Sequence, residues 1–245
     1  MIRHRTMLGG MMAGAAWLAP AIVMGAADAA PRRTPAARVR PAAKASPAPA
    51  PAPTILPSEG AVRVAEWIAA AKDSHGLPYA IVDKPAAAIF LFDAKGRQLA
   101  AEPVLIGIAP GDDATPGVGA KTLAQIGPAE KTTPAGRYLA RFGLALGRER
   151  ILWVDYANSV AIHPIPADAA RSERRRERML SPTPDDNRIT FGCINVPRAF
   201  YTAKLSPAFR RKGGYVYVMP DTRPLEAVFP RLRVQALATP QPGGD

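Results

Sequence analysis

Cysteine is almost missing from this chain: Cys193 is the only one in 245 residues, and the histidines number three, His4, His75 and His163. A single thiol excludes an intramolecular disulfide, and without paired Cys or His ligands there is no zinc pattern, so neither a metal site nor a cofactor is expected. No cysteine follows the N-terminal apolar run to accept a lipid. There is no internal repeat, and the glycine-bearing stretch 107–119 lacks the Lys and Ser/Thr context of a phosphate-cradling loop. The net charge of +12 does not point to nucleic acid, because neither a recognised module nor an interleaving of basic and aromatic residues is present. Half of that charge lies before residue 58, where Arg3, Arg5, Arg32, Arg33, Arg38, Arg40 and Lys44 stand against Asp28 alone. The rest, spread over the remaining domain, favours approach to an anionic wall polymer or membrane surface.

What is present is unevenly distributed. Arg3 and Arg5 precede a charge-free stretch from Met7 to Met24 and then the small residues around Ala27, Ala29 and Ala30. This is the order of a secretory signal over 1–29, with cleavage near Ala29; an uncleaved anchor is the alternative reading, which Gly9, Gly10, Gly14 and Pro20 weaken as a helix. Either way the protein leaves the cytoplasm, for the periplasm or the cell wall. Residues 30–57 are nearly all Pro, Ala and Arg, with little to bury against the entropy of ordering, and read as an extended disordered tether whose basic charge suits transient membrane or wall association. Residues 58–78 carry a helix-compatible pattern from Val62 to Lys72 closed by His75 and Gly76, a folded domain is expected over 79–220, and 221–245 reads as a C-terminal tail with a frayed end from Pro240.

Within that domain the texture is that of strands. Tyr79–Asp83, Ala87–Asp93 and Gln98–Ile108 are short apolar runs separated by turn residues, followed by a Gly, Pro, Asp and Thr-rich loop from Pro110 to Gly136. Arg137–Phe142, Ile151–Tyr156, Val160–His163 and Tyr215–Met219 continue the series. Helices are expected at 168–180 and at Pro197–Lys204. The fold class is therefore mainly β with a few peripheral helices.

The segment Arg188-Ile-Thr-Phe-Gly-Cys-Ile-Asn-Val-Pro197 concentrates the chemistry. A lone thiol in an oxidising compartment invites unwanted oxidation, which is easier to understand if its reactivity is used; the bland alternative is a buried cysteine serving as a small hydrophobe. Gly192 lets the backbone turn sharply and lets a substrate carbonyl approach the main-chain N–H groups of Gly192 and Cys193, the simplest available oxyanion hole. The thiol needs a base. His4 is in the signal and His75 in a turn, whereas His163 ends an apolar strand, where a side chain is held rigidly; His163 is the candidate base by elimination, its alternative being a satisfied histidine at a sheet edge.

Thr190, Gly192, Cys193, Ile194 and Asn195, with His163 upstream, resemble the active-site signature of the L,D-transpeptidase catalytic domain (YkuD-like) family. The stretch Thr133, Pro134, Ala135, Gly136, Arg137, Tyr138 also resembles that family's Thr-Pro-x-Gly-aromatic motif, and the similarity extends over about 79–219. The resemblance implies a β-sandwich or barrel with the cysteine in a groove under a mobile lid, and a two-step acyl transfer on peptidoglycan stem peptides that carbapenems would inhibit. It further implies that the carbonyl of Pro164 orients the imidazole, that Asn195 helps hold the cysteine loop and that Thr190 lines the site.

Two features depart from the family's pattern. Phe191 stands in place of the usual second motif histidine, so that residue's hydrogen bonding is missing and an aromatic wall replaces it. The interval from His163 to Thr190, 27 positions, is long, and it contains the run Arg171–Arg178. That run reads either as a solvated face with internal Glu–Arg pairs or as a lid whose Arg171, Arg174 and Arg175 meet stem carboxylates. The expected activity is L,D-transpeptidase; an L,D-carboxypeptidase and a catalytically silent peptidoglycan-binding protein on the same fold are the alternatives. A papain-like hydrolase is disfavoured, because no histidine follows Cys193.

Overall fold

The computed structural model describes residues 55–145 and 150–233, so the signal, nearly all of the tether and the end from Pro240 lie outside the described residues. Helix α1 (Glu59–Ala71) begins three residues before the apolar pattern does, because Ser58 caps it: the Ser58 hydroxyl accepts from the Ala61 N–H at 3.2 Å. Asp83 fixes that cap in turn, accepting from the Ser58 N–H at 2.7 Å and its hydroxyl at 3.0 Å.

Ten strands follow: β1 (Tyr79–Asp83), β2 (Ala88–Phe92), β3 (Gln98–Pro103), β4 (Ile106–Gly107), β5 (Gly136–Leu144), β6 (Arg150–Asp155), β7 (Val160–Pro164), β8 (Arg188–Thr190), β9 (Ile194–Val196) and β10 (Gly214–Val218). Eight form one mixed sheet in the order β3-β2-β1-β10-β5-β6-β7-β9, with parallel pairing at β1·β10 and β7·β9. The sheet curls until its two ends meet. Leu105, just past β3 at one edge, exchanges two backbone hydrogen bonds with Asn195 of β9 at the other (3.0 and 2.9 Å), and β4 pairs with β8. The structure is thus mainly β, as the strand pattern suggested, and nearly closed. The run Gln98–Ile108 is not one strand: it pairs with β2 only to Pro103 and then crosses to close the barrel.

Alternation along the strands divides the apolar residues between two clusters. Ala80, Val82, Leu91, Leu152, Val160, Ile162, Ile194, Val196 and Val218 fill the interior. Tyr79, Ile81, Phe90 and Tyr217 point the other way, where Trp67 and Ile68 of α1 and Phe229 and Leu232 near the C-terminal end cover them. Burial on both faces explains why β1 and β2 read as continuous apolar runs rather than alternating ones. The described part of the expected tail, 221–233, is consequently part of the fold: Phe229 and Leu232 are core residues, and Asp221 belongs to a buried ionic cluster.

Lys84, immediately after β1, centres that cluster. Its ammonium, fully buried, lies 2.6 Å from Gly111 O, 3.0 Å from Asp112 Oδ1, 3.0 Å from Thr133 O and 3.1 Å from Asp221 Oδ2. Burial would raise the Asp112 pKa, but the N–H groups of Asp221, Arg223 and Thr222 and the Lys84 ammonium outweigh it and hold that carboxyl well below its usual range. Four chain segments are pinned together at this point, including the Thr132–Thr133 stretch that borders Cys193.

The two expected helices are both interrupted. Residues 168–180 form a 3-10 turn (Arg171–Glu173), a left-handed Arg174 (φ 48°) and the short α2 (Arg175–Met179). The second runs from α3 (Arg198–Phe200) through a π turn (Tyr201–Leu205) into α4 (Ser206–Phe209). Pro207 lacks the N–H that would continue an α-helical ladder, which accounts for the wider turn before it.

Candidate active site

Cys193 sits in the turn between β8 and β9, and the turn is set by three hydroxyl contacts. Thr190 Oγ1 donates to the Cys193 carbonyl (2.6 Å) and accepts from the Gly192 N–H (3.2 Å). Thr133 Oγ1 donates to the Gly192 carbonyl (2.8 Å) while accepting from the Gly107 N–H (2.8 Å). Between them Gly192 adopts φ +122°, and a Cβ on it would lie 2.7 Å from the Thr132 carbonyl. Only glycine meets both conditions. The two stretches picked out in the sequence, Thr190–Asn195 and Thr133–Tyr138, are thus physically joined through the Thr133 hydroxyl.

The partner strand supplies the histidine. In the parallel register of β7 and β9, Ile162 pairs with Ile194 and His163 with Asn195. Val160, Ile162, Ile194 and Val196 belong to the interior cluster, which leaves Ala161, His163 and Asn195 on the opposite face, where alternation also places Cys193. The half-buried thiol donates to the Ser159 carbonyl (3.6 Å), at the head of β7. Burial pushes its pKa up from the ordinary value, against smaller lowering effects from the Ala161 N–H and the Arg175 charge.

His163 Nδ1 lies 2.8 Å from the Pro164 carbonyl, and Nε2 lies 3.4 Å from Asn195 Nδ2. Asn195 is buried, and its Oδ1 accepts from Arg175 Nη1 at 2.6 Å. Arg175 in turn is held by Glu173, with Nε 2.7 Å from Oε2. Phe191 packs beneath the Lys131 ammonium, which lies 3.8 Å from its ring centroid.

The three arginines of the insertion separate. Arg175, mostly buried, reaches the site through Asn195. Arg174 pairs with Glu177 on the surface. Arg171 joins Arg174, Arg176 and Arg198 around an open basin of about 420 Å³ that Arg175 also borders. Asn195 and Pro164 contact His163, Thr190 and Gly192 hold the cysteine turn, and Phe191 contacts Lys131. Sequence reasoning did not find Ser159, Ala161, Thr133 and Glu173. Ser159 and Ala161 act through the main chain, which carries no side-chain signal, and Thr133 was recognised only as part of a motif. Among the described residues no cluster of metal-ligating side chains occurs.

The sequence matches no family model and no curated protein. Among solved structures, the chain is similar to the L,D-transpeptidase (residues 123–326) from Xylanimonas cellulosilytica DSM 15894, at 15% identity and a TM-score of 0.36. The match covers 58% of this chain and 60% of that one, so the chain spans about three fifths of that structure's length. A likeness this distant carries no argument about chemistry, and the functional reading rests on the residues themselves.

Proposed function

We propose that the protein is an exported cysteine acyltransferase of the L,D-transpeptidase type, acting on peptidoglycan stem peptides in the periplasm or wall. The observation that supports this reading is the parallel register of β7 and β9, which pairs His163 with Asn195, two residues beyond Cys193. The Thr190–Asn195 and Thr133–Tyr138 resemblances support the substrate class, and the N-terminal signal pattern supports export.

The mechanism requires the Cys193 side chain to rotate between staggered positions, from the Ser159 carbonyl toward His163. His163 Nε2 takes the thiol proton as Sγ attacks the carbonyl of the diamino acid at the stem's third position. The C–N bond to the terminal D-residue breaks, His163 returns the proton to the departing amine, and a thioester remains on Cys193. An amine of a second stem, or water, then attacks the thioester with His163 accepting its proton, and the sulfur leaves to be reprotonated. Incubation of the purified protein with disaccharide-tetrapeptides, followed by mass spectrometry, is expected to show release of the terminal D-residue with crosslinked, exchanged or shortened products. Shortened product alone would assign the carboxypeptidase activity, and binding without turnover would leave the silent wall-binding protein.

A further inference from the structure

We propose that Arg175 is a positioning residue: acting through the Asn195 amide, it fixes His163 in the neutral tautomer that carries its proton on Nδ1 and presents a bare Nε2. The inference follows from donor and acceptor inventory. A guanidinium has only N–H donors, so whichever end of the Asn195 amide faces Arg175 must be the oxygen, and the 2.6 Å contact is with Oδ1. That orientation aims the amide's NH₂ at His163 Nε2, at 3.4 Å. An N–H facing Nε2 is compatible only with a lone pair there, because a proton on Nε2 would set donor against donor. On the ring's other side stands the Pro164 carbonyl, 2.8 Å from Nδ1, which can only accept. Both neighbours select the same tautomer, and ring orientation is held from both ends.

The arrangement is anchored rather than incidental. Asn195 is 1% exposed, and its amide has no room to turn without leaving a buried donor facing a guanidinium. Arg175 is fixed in its turn by the Glu173 carboxylate, through Nε–Oε2 at 2.7 Å and Nη2–Oε1 at 3.4 Å. The left-handed Arg174 breaks the helix immediately before Arg175, so that Arg174 and Arg175 pair with different glutamates, and Arg175 is the mostly buried one of the two. The insertion between His163 and Thr190 therefore supplies a part of the site that the linear motif lacks. Arg175 is assigned to the histidine's support and not to a substrate carboxylate.

This proposal builds on the acyl-transfer reading, yet its test needs no substrate, so the two can fail separately. The full chain, labelled with ¹⁵N in its histidine rings, reports tautomers directly by long-range ¹⁵N–¹H correlation, and the His163 signals are identified by their loss in His163→Gln. At neutral pH the native protein is expected to show a protonated Nδ1 and a bare Nε2. Arg175→Met frees the Asn195 amide to turn its oxygen toward Nε2, so a population with a proton on Nε2 should appear beside the Nδ1–H form that the Pro164 carbonyl favours, and Arg175→Lys, which can still donate to Oδ1, should largely remove it. Asn195→Asp is a second, nearly isosteric probe: it replaces the NH₂ by a carboxylate oxygen and should put a proton on Nε2 while the Pro164 carbonyl keeps the one on Nδ1, giving an imidazolium. In the acylation reaction, Arg175→Met should slow Cys193 by roughly 10- to 100-fold, the range seen when a partner that orients a functional histidine is removed, with recovery in Arg175→Lys. A wholly unprotonated Nε2, as in the native protein, in folded Arg175→Met, or in Asn195→Asp if the first variant does not fold, would overturn the proposal.

Discussion

At the scale of single residues, the geometry around Cys193 specifies how the thiol titrates and what Gly192 tolerates. Burial holds the Cys193 thiol above its ordinary value of 9.0, so alkylation by iodoacetamide at rising pH is expected to inflect above that value. An inflection near neutrality would instead mean a resting thiolate paired with an imidazolium. Gly192→Ala meets two obstacles, a φ of +122° and a carbonyl 2.7 Å from the new Cβ. It should cost about 1–3 kcal/mol of stability and displace the sulfur, read as a lower midpoint in chemical denaturation together with loss of acylation. Gly192 and Cys193 were legible in the sequence because a glycine beside a reactive residue has few other uses. The oxyanion reading of the Gly192 amide was drawn from adjacency alone, whereas in the resting protein that N–H is bonded to Thr190 Oγ1.

Elements show where sequence patterns carry information and where they do not. β1 and β2 were readable almost to the residue because both of their faces are buried, so every position but Asp83 at the end of β1 is apolar. β8 and β9, three residues each, carry the site but were not recognised as strands; segments this short have no room for periodicity, and their pairing with β4, β7 and Leu105 is long-range. The 168–180 segment misled because its charge pattern suits a helix, while the positive φ at Arg174 follows from tertiary anchoring of Arg175 on Asn195. The bridge from the Thr133 hydroxyl is the element-level feature most open to test. Thr133→Val keeps the volume but leaves a buried Gly107 N–H and Gly192 carbonyl without that partner. A loss of about 1–3 kcal/mol is expected in denaturant melts, accompanied by slower acylation at Cys193.

For the whole molecule, closure of the barrel brings strands far apart in sequence to one edge, and Lys84 with Asp112 and Asp221 clamps the loops around that edge. Lys84→Met would leave the buried Asp112 without its cation, Asp221 keeping Arg188, and a cost of about 3–5 kcal/mol is expected by equilibrium unfolding. The Asp112 pKa is lower in the folded protein than in the unfolded chain, so protons bind the unfolded state more readily. Its contribution is therefore fully present above the unfolded value of about 4 and is lost progressively as pH falls toward the folded one. Acid melts between about pH 5 and 2 should show this loss, and Asp112→Asn should flatten it. Mainly-β architecture was legible from strand texture; closure was not, because it depends on Leu105 meeting Asn195 across 90 residues, which no local pattern encodes.

The most direct test of the Cys193–His163 pairing is covalent trapping. The purified protein is mixed with a carbapenem and the intact mass followed over time. A single adduct is expected, absent in Cys193→Ala and formed about 10²- to 10⁴-fold more slowly in His163→Ala. An adduct that persists in Cys193→Ala, or one that forms at the native rate without the His163 imidazole, would contradict the assignment of that pair.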